Sequence, residues 1–180
     1  MSITQRKRAK IIADCYTKWD INGKKVLDVG CGNGVVSELL KERLGIDLYG
    51  TDIIDYRKRN IPFKKMTTSE KLPFADASFD CVMFNDVLHH TDDIKAFIAE
   101  GSRVADTILI FEDSSSFLLR LVDVALNHFY SPQMPRPLNF KTQEEWQLLF
   151  KQLGFECEAG ELFYPYWYPF KHFAFRLKRR

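Results

Sequence analysis

The chain has 180 residues, 46% of them hydrophobic and 28% charged, and 26 Lys and Arg against 24 Asp and Glu give a net charge of +2. That length fits one soluble domain with a real core, and no apolar stretch approaches the roughly 20 residues that cross a bilayer. The four cysteines, Cys15, Cys31, Cys81 and Cys157, form no CxxC pair, so the sequence points away from a zinc site and towards a reduced, cytoplasmic setting.

The opening "MSITQRKRAK" is basic but leads into no apolar core and no small-residue cleavage site, so no secretory leader is expected. Arg6, Lys7, Arg8 and Lys10 crowd one end, and Arg176, Lys178, Arg179 and Arg180 the other. The rest of the chain then holds 18 basic against 24 acidic residues. Two solvated basic ends are the simpler reading, and docking to nucleic acid or anionic lipid is the alternative.

Residues 3 to 19 carry Ile3, Ile11, Ile12, Cys15, Tyr16 and Trp19 at near-helical spacing, which predicts an amphipathic helix. "KKVLDVG" is a short apolar run ending in glycine, as buried strands do. Gly34 to Leu44 has a 3.6-residue period with Gly45 as its stop. "DLYGTD" is a second strand, and "IPFKKM" a third, near an edge because of Pro62. "CVMFNDV" is a fourth strand. Asp92 is expected to cap a helix to about Val104, with Ile94, Phe97 and Ile98 inward. "TILIFED" is a fifth strand, dense in β-branched residues.

This alternation argues for a parallel sheet with helices on both faces, joined by right-handed crossovers. After residue 113 the pattern changes. Ser114 to Tyr130 reads as a helix, and "SPQMPRPLNF" as a proline-rich connection. Thr142 and Glu145 have capping-box spacing for a helix ending at Gly154. Residues 155 to 177 read as two strands around an aromatic, proline-containing turn. No internal repeat and no second domain is visible, so residues 1–180 read as one domain.

A strand entering a glycine-rich turn and then a helix is suited to a nucleotide-bearing ligand, because the helix start offers N–H groups and glycine admits close approach. A phosphate loop would need GxxxxGK[ST], and Val35, Val36 and Ser37 follow Gly34 instead. A dinucleotide loop needs GxGxxG, and the third glycine is missing from both possible registers. The pattern Asp-x-Gly-x-Gly-x-Gly is complete in Asp28, Gly30, Gly32 and Gly34.

"VLDVGCGNG" resembles the first motif of class I S-adenosylmethionine-dependent methyltransferases. "LYGTDI" resembles their second strand ending in an acid, and "LPFADASFDCVMFNDVLHHTDD" their LPF-x-x-x-SFD segment and fourth strand. The resemblance covers about residues 5 to 113, and beyond that only the element order agrees. It implies an α/β fold: a Rossmann-like three-layer αβα sandwich on a mostly parallel seven-stranded sheet with an antiparallel C-terminal strand. It also implies S-adenosyl-L-methionine as cofactor. Gly30 and Gly32 would lie against the methionine end, beside Cys31, a small buried residue. Gly34 completes the turn. Asp28 would order the loop and act on the cofactor's cationic groups. Asp52 would accept the ribose hydroxyl protons and Ile53 would pack on adenine. The aspartate that many relatives carry near Thr68 for the adenine amino group is absent; the hydroxyl or backbone of Thr68 or Ser69 would replace it. The Asn85 carbonyl would receive the cofactor ammonium.

Methyl transfer needs a general base only when the acceptor must lose a proton, and Asp86, His89 and His90 follow the fourth strand as candidates. The same histidines could simply support the loop. Residues 115 to 140 are the expected lid or substrate cover. Tyr16, Trp19, Phe117, Phe129, Tyr130, Met134 and Pro135 are candidate pocket walls, with Phe163, Tyr164, Tyr166, Trp167 and Tyr168, although plain core packing is the simpler reading for most of the aromatics. Such walls suit an aromatic or lipid-like small-molecule acceptor. A nucleic-acid or protein methyltransferase, a non-catalytic cofactor-binding partner subunit and an NAD-dependent oxidoreductase stay open as alternatives; oligomeric state is not encoded in any motif.

Overall fold

The computed structural model describes residues 3–68, 71–114, 139–163 and 171–179. In chain order the elements are α1 (Ile3–Tyr16), a single 3-10 turn (Thr17–Trp19), β1 (Lys25–Val29), α2 (Val35–Leu44), β2 (Asp47–Asp52) and β3 (Phe63–Lys65). There follow β4 (Phe79–Asn85), α3 (Ile94–Val104), β5 (Ala105–Asp113), α4 (Gln143–Gln152), β6 (Phe155–Phe163) and β7 (His172–Arg179).

The seven strands make one sheet in the order β3-β2-β1-β4-β5-β7-β6. β1 pairs in parallel with both β2 and β4, β2 with β3, and β4 with β5. β7 runs antiparallel to both its neighbours, β5 and β6. The order reverses between β1 and β4, and in open α/β sheets that switch point is where ligands bind.

Alternation along each strand splits the core into two layers. Val26, Cys81, Met83, Leu109 and Phe111 pack towards α1 and α2 with Ile12, Tyr16, Leu40 and Leu44. Leu27, Val29, Val82, Phe84, Ile108 and Ile110 pack towards α3 and α4 with Phe97, Ile98, Trp146 and Phe150. The α3 helix can approach β4 because residue 101 is glycine: a Cβ there would lie 2.8 Å from the Phe84 ring. The result is the three-layer αβα sandwich expected, with the antiparallel strand at the C-terminal side.

Several boundaries differ from expectation for local reasons. The first helix ends at Tyr16 and tightens into a 3-10 turn through Trp19. Pro62 lies just outside β3, and its carbonyl accepts a 2.8 Å bond from Gly50 N–H. β4 starts two residues early and stops at Asn85, because Asp86 turns to a left-handed φ of 56°. Asp93, not Asp92, caps α3, its carboxylate accepting the Ala96 N–H at 2.9 Å. The Thr142–Glu145 capping box forms with both of its bonds. The helix expected over Ser114–Tyr130, most of the proline-rich connection and the aromatic turn lie outside the described residues. Tyr16 and Trp19, named as pocket walls, are instead core residues, 0% and 5% exposed.

Arg8 and Lys178, one from each basic run, sit near opposite ends of β5. Arg8 reaches Asp113 at the C-terminal end of β5, whereas Lys178 pairs with Thr107 near its start. Arg176 turns inward, donating to the Trp19 carbonyl at 2.7 Å and pairing with Glu158 at 3.0 Å. Among the described residues no helix is long and apolar enough to cross a membrane.

Candidate active site

The turn after β1 is built by three glycines in the left-handed region, Gly30 at φ 74°, Gly32 at 53° and Gly34 at 75°. Their surroundings differ. A Cβ on Gly30 would run into Val87, and one on Gly34 would press on Arg59 and Ile61 at 3.3 Å. A Cβ on Gly32 would meet nothing within 4 Å. The turn is fastened to β2: Gly30 and Cys31 N–H groups donate to the Thr51 carbonyl at 2.8 and 3.2 Å. Gly32 N–H donates to Asp52 Oδ2 at 2.9 Å.

The open side of Gly32 faces a cavity of about 930 Å³ at the C-terminal ends of β1, β2 and β4. Asp28, Gly30, Cys31, Gly32, Asp52, Ile53, Thr68, Asn85, Asp86 and His90 all lie on its wall. Gly34 and His89 do not line it, and Ser69 lies outside the described residues. The cavity also takes in residues with no motif to announce them, Gln5 of α1 and Tyr56, Lys58 and Arg59 of the loop after β2.

A chain of side-chain bonds runs under the cavity. Tyr16 Oη donates to Asn85 Oδ1 at 2.8 Å, and Asn85 Nδ2 donates to Asp28 Oδ1 at 3.2 Å. Ser37 Oγ donates to Asp28 Oδ2 at 2.6 Å. Burial pushes Asp28 up to about 6 in spite of these two donors. Burial also raises Asp52, against the pull of the Gly32, Ile54 and Ile53 amides. The Cys31 thiol is pushed far up, first by burial and then by Asp28 and Asp52, so it stays protonated.

Arg8 forks between two carboxylates, Asp86 and, at 3.1 Å, Asp113. His172 Nδ1 meets the same Asp113. Burial lifts Asp86 to about 6 with Arg8 opposing it. Burial also acts on Asp113, but the Arg8 charge and the His172 bond outweigh it and hold that carboxyl below the usual range. The two acids thus share one guanidinium unequally, and the cavity-lining one is the more easily protonated.

His89 is 3% exposed and points inward, its Nδ1 2.6 Å from Glu112 Oε2. His90, beside it, is the histidine that reaches the cavity wall. Of the three base candidates, geometry therefore brings Asp86 and His90 to the cavity and leaves His89 behind them. Sequence reasoning missed Arg8 and Glu112. An acid closing the apolar strand "TILIFED" was a signal for Glu112; Arg8, 78 residues from Asp86, left none.

Residues 3–159 match the family model described as a methyltransferase domain, and the chain belongs to that family. It is 33% identical over 109 residues to the ubiquinone biosynthesis O-methyltransferase of Cereibacter sphaeroides, a match covering 53% of this chain and 42% of that protein. The chain thus spans less than half the length of that curated relative. Its fold is that of the Rossmann-like methyltransferases. PH0226 from Pyrococcus horikoshii superposes with a TM-score of 0.74 at 22% identity, over 99% of this chain and 92% of that one. The 1,6-didemethyltoxoflavin-N1-methyltransferase of Burkholderia thailandensis, solved with 1,6-didemethyltoxoflavin and S-adenosylhomocysteine, superposes with a TM-score of 0.72 at 14% identity, over 96% and 78%.

Proposed function

We propose that this chain is an S-adenosylmethionine-dependent methyltransferase acting on a small-molecule acceptor, with a hydroxyl group as the first acceptor class to test. One observation carries the reading: the open face of Gly32 and the Asp52 carboxylate share one cavity wall with Asp86 and His90. A donor site and a proton-accepting site then adjoin in one chamber.

The residues present fit an adenosyl group. Asp52 is a half-buried carboxylate at the end of β2, suited to accept two vicinal hydroxyls. Ile53 offers an apolar face and Thr68 a polar rim for the adenine. Asp28, carried by Ser37 and Asn85, supplies negative potential beneath the glycine turn. The cofactor contributes a methyl group on a sulfonium, already activated by its leaving group. The chain's own contribution is placement and exclusion of water. Asp86 and His90 stand where a hydroxyl acceptor could pass its proton, and the raised Asp86 suits that task better than an ordinary carboxylate. The small-molecule reading draws on the name of the Cereibacter relative.

Calorimetry with S-adenosylhomocysteine and NAD, side by side, tests the cofactor: binding of the first and not the second is expected. Asp52→Ala should weaken that binding by about tenfold or more, the loss of two charge-assisted hydrogen bonds. Unchanged affinity would sink the ribose assignment. A metabolite extract given labelled methyl donor tests the acceptor. Label in hydroxyl-bearing small molecules is expected, and label only in RNA, DNA or protein overturns the reading.

A further inference from the structure

We infer that Glu112, which does not line this cavity, is a positioning residue for methyl transfer: it sets the loop that carries Asp86 and His90. The inference rests on the methyltransferase reading of the cavity. Glu112 closes β5 and is 1% exposed. Its Oε1 accepts from Val87 N–H at 3.0 Å and Leu88 N–H at 2.7 Å, and its Oε2 meets His89 Nδ1 at 2.6 Å. One carboxylate thus takes three donors from three consecutive residues of the loop after β4.

Burying a carboxylate costs several kcal/mol unless donors surround it, so a loop that only needed closing would be closed more cheaply by backbone. What the carboxylate adds is direction. It can only accept, so it fixes Nδ1 as the protonated nitrogen of His89. The His89 ring is then held between Phe140, stacked at 4.5 Å, and His90, whose ring centre is 4.0 Å away. On the far side, Asn139 N–H donates to the His89 carbonyl at 3.0 Å and Asn139 Nδ2 to the Thr91 carbonyl at 2.8 Å. His90 therefore faces the cavity from a loop gripped at both sides. Val87, held through its own amide, is the side chain packed over Gly30, so the same carboxylate also steadies the glycine turn.

The test uses the full chain with 15N-labelled histidine; its four histidines are His89, His90, His128 and His172. Single His→Gln variants assign the signals. In the wild type, His89 should show a slowly exchanging, far-downfield Nδ1 proton, and S-adenosylhomocysteine should shift the His90 signals. Glu112→Gln has one accepting oxygen for three donors. It should lose the Nδ1 signal, displace His90 and bind S-adenosylhomocysteine about tenfold more weakly. Glu112→Asp should restore part of each. If Glu112→Gln fails to fold, His89→Gln takes its place and should displace His90 in the same way. A folded variant with unmoved His90 signals, or a wild-type His89 protonated only on Nε2, overturns the proposal. A wild type that binds no S-adenosylhomocysteine removes the methyltransferase reading instead, while the Nδ1 proton still reports on the Glu112–His89 bond.

Discussion

Gly30 and Gly32 share a left-handed backbone but face different neighbours, and that difference separates folding from binding. Gly30→Ala forces a methyl into Val87 besides straining the backbone, so it should destabilise the chain by about 2–4 kcal/mol, measured by urea unfolding. Gly32→Ala meets open space and carries only the left-handed strain, about 1–2 kcal/mol. It should instead abolish S-adenosylhomocysteine binding, because the methyl enters the cavity. Asp28 adds a pH signature. Its folded carboxyl, raised by burial to about 6, holds a proton more tightly than in the unfolded chain. Its contribution to stability is therefore fully present below the ordinary carboxylate range and is lost as pH rises through about 6. Between about pH 4 and 6.5 the wild type should lose roughly 1–3 kcal/mol relative to Asp28→Asn, whose offset at any one pH also reflects altered hydrogen bonding. Equal slopes for the two proteins in urea unfolding across that range would contradict the raised carboxyl. At this scale the sequence was readable where placement is encoded by spacing: Asp28 and Asp52 sit on the adjacent parallel strands β1 and β2, and Gly30 and Gly32 form the turn after β1. It was silent where a role depends on a distant partner, as for Tyr16, 69 residues from Asn85.

Among the elements, α1 does more than cover the sheet. It sends Arg8 to the ends of β4 and β5 and Tyr16 to Asn85, so these two tethers reach Asp86 and Asn85 on the cavity wall. Removing Arg8 leaves the half-buried Asp86 and the buried Asp113 without their shared guanidinium. Arg8→Ala should cost about 2–3 kcal/mol, below the usual cost of breaking a buried pair because the arginine side chain is 22% exposed. Asp86→Asn should recover part of that loss, and a double-mutant cycle by urea unfolding measures the recovery. Strict additivity would mean that Asp113 alone carries the interaction. Elements whose signals are local were legible in detail, such as the Thr142–Glu145 box and the exact extent of β2. The shift of the α3 cap from Asp92 to Asp93 has another origin. Two adjacent acids offer the same chemistry, and the backbone geometry selects between them.

For the molecule as a whole, the cavity joins the loops at the C-terminal ends of β1, β2 and β4. A ligand that binds only the folded chain adds its binding energy to global stability. S-adenosylhomocysteine at about 100 times its Kd should raise the unfolding free energy by about 2.7 kcal/mol, read as a shift in the urea midpoint or in Tm. A midpoint indifferent to the ligand would argue against a site formed only by folding. The separation of the basic ends also belongs to this scale. In sequence they looked like a pair; the antiparallel β5–β7 register puts Lys178 beside the start of β5, away from Arg8 at its other end.

The position of β7 has a consequence for synthesis. β6 leaves the ribosome first, yet it lies outside β7 in the sheet and has no direct pairing with β5. Until residues 172–179 have emerged, β5 presents an unpaired edge to any neighbouring nascent chain. Asp113 meanwhile shares Arg8 with Asp86 without the imidazole of His172. The glycine turn and Asp52 can form early from adjacent strands, but the charge balance around Asp86 is reached only when the late strand slots in. A nascent chain would therefore acquire the shape of its glycine turn before the electrostatics around Asp86.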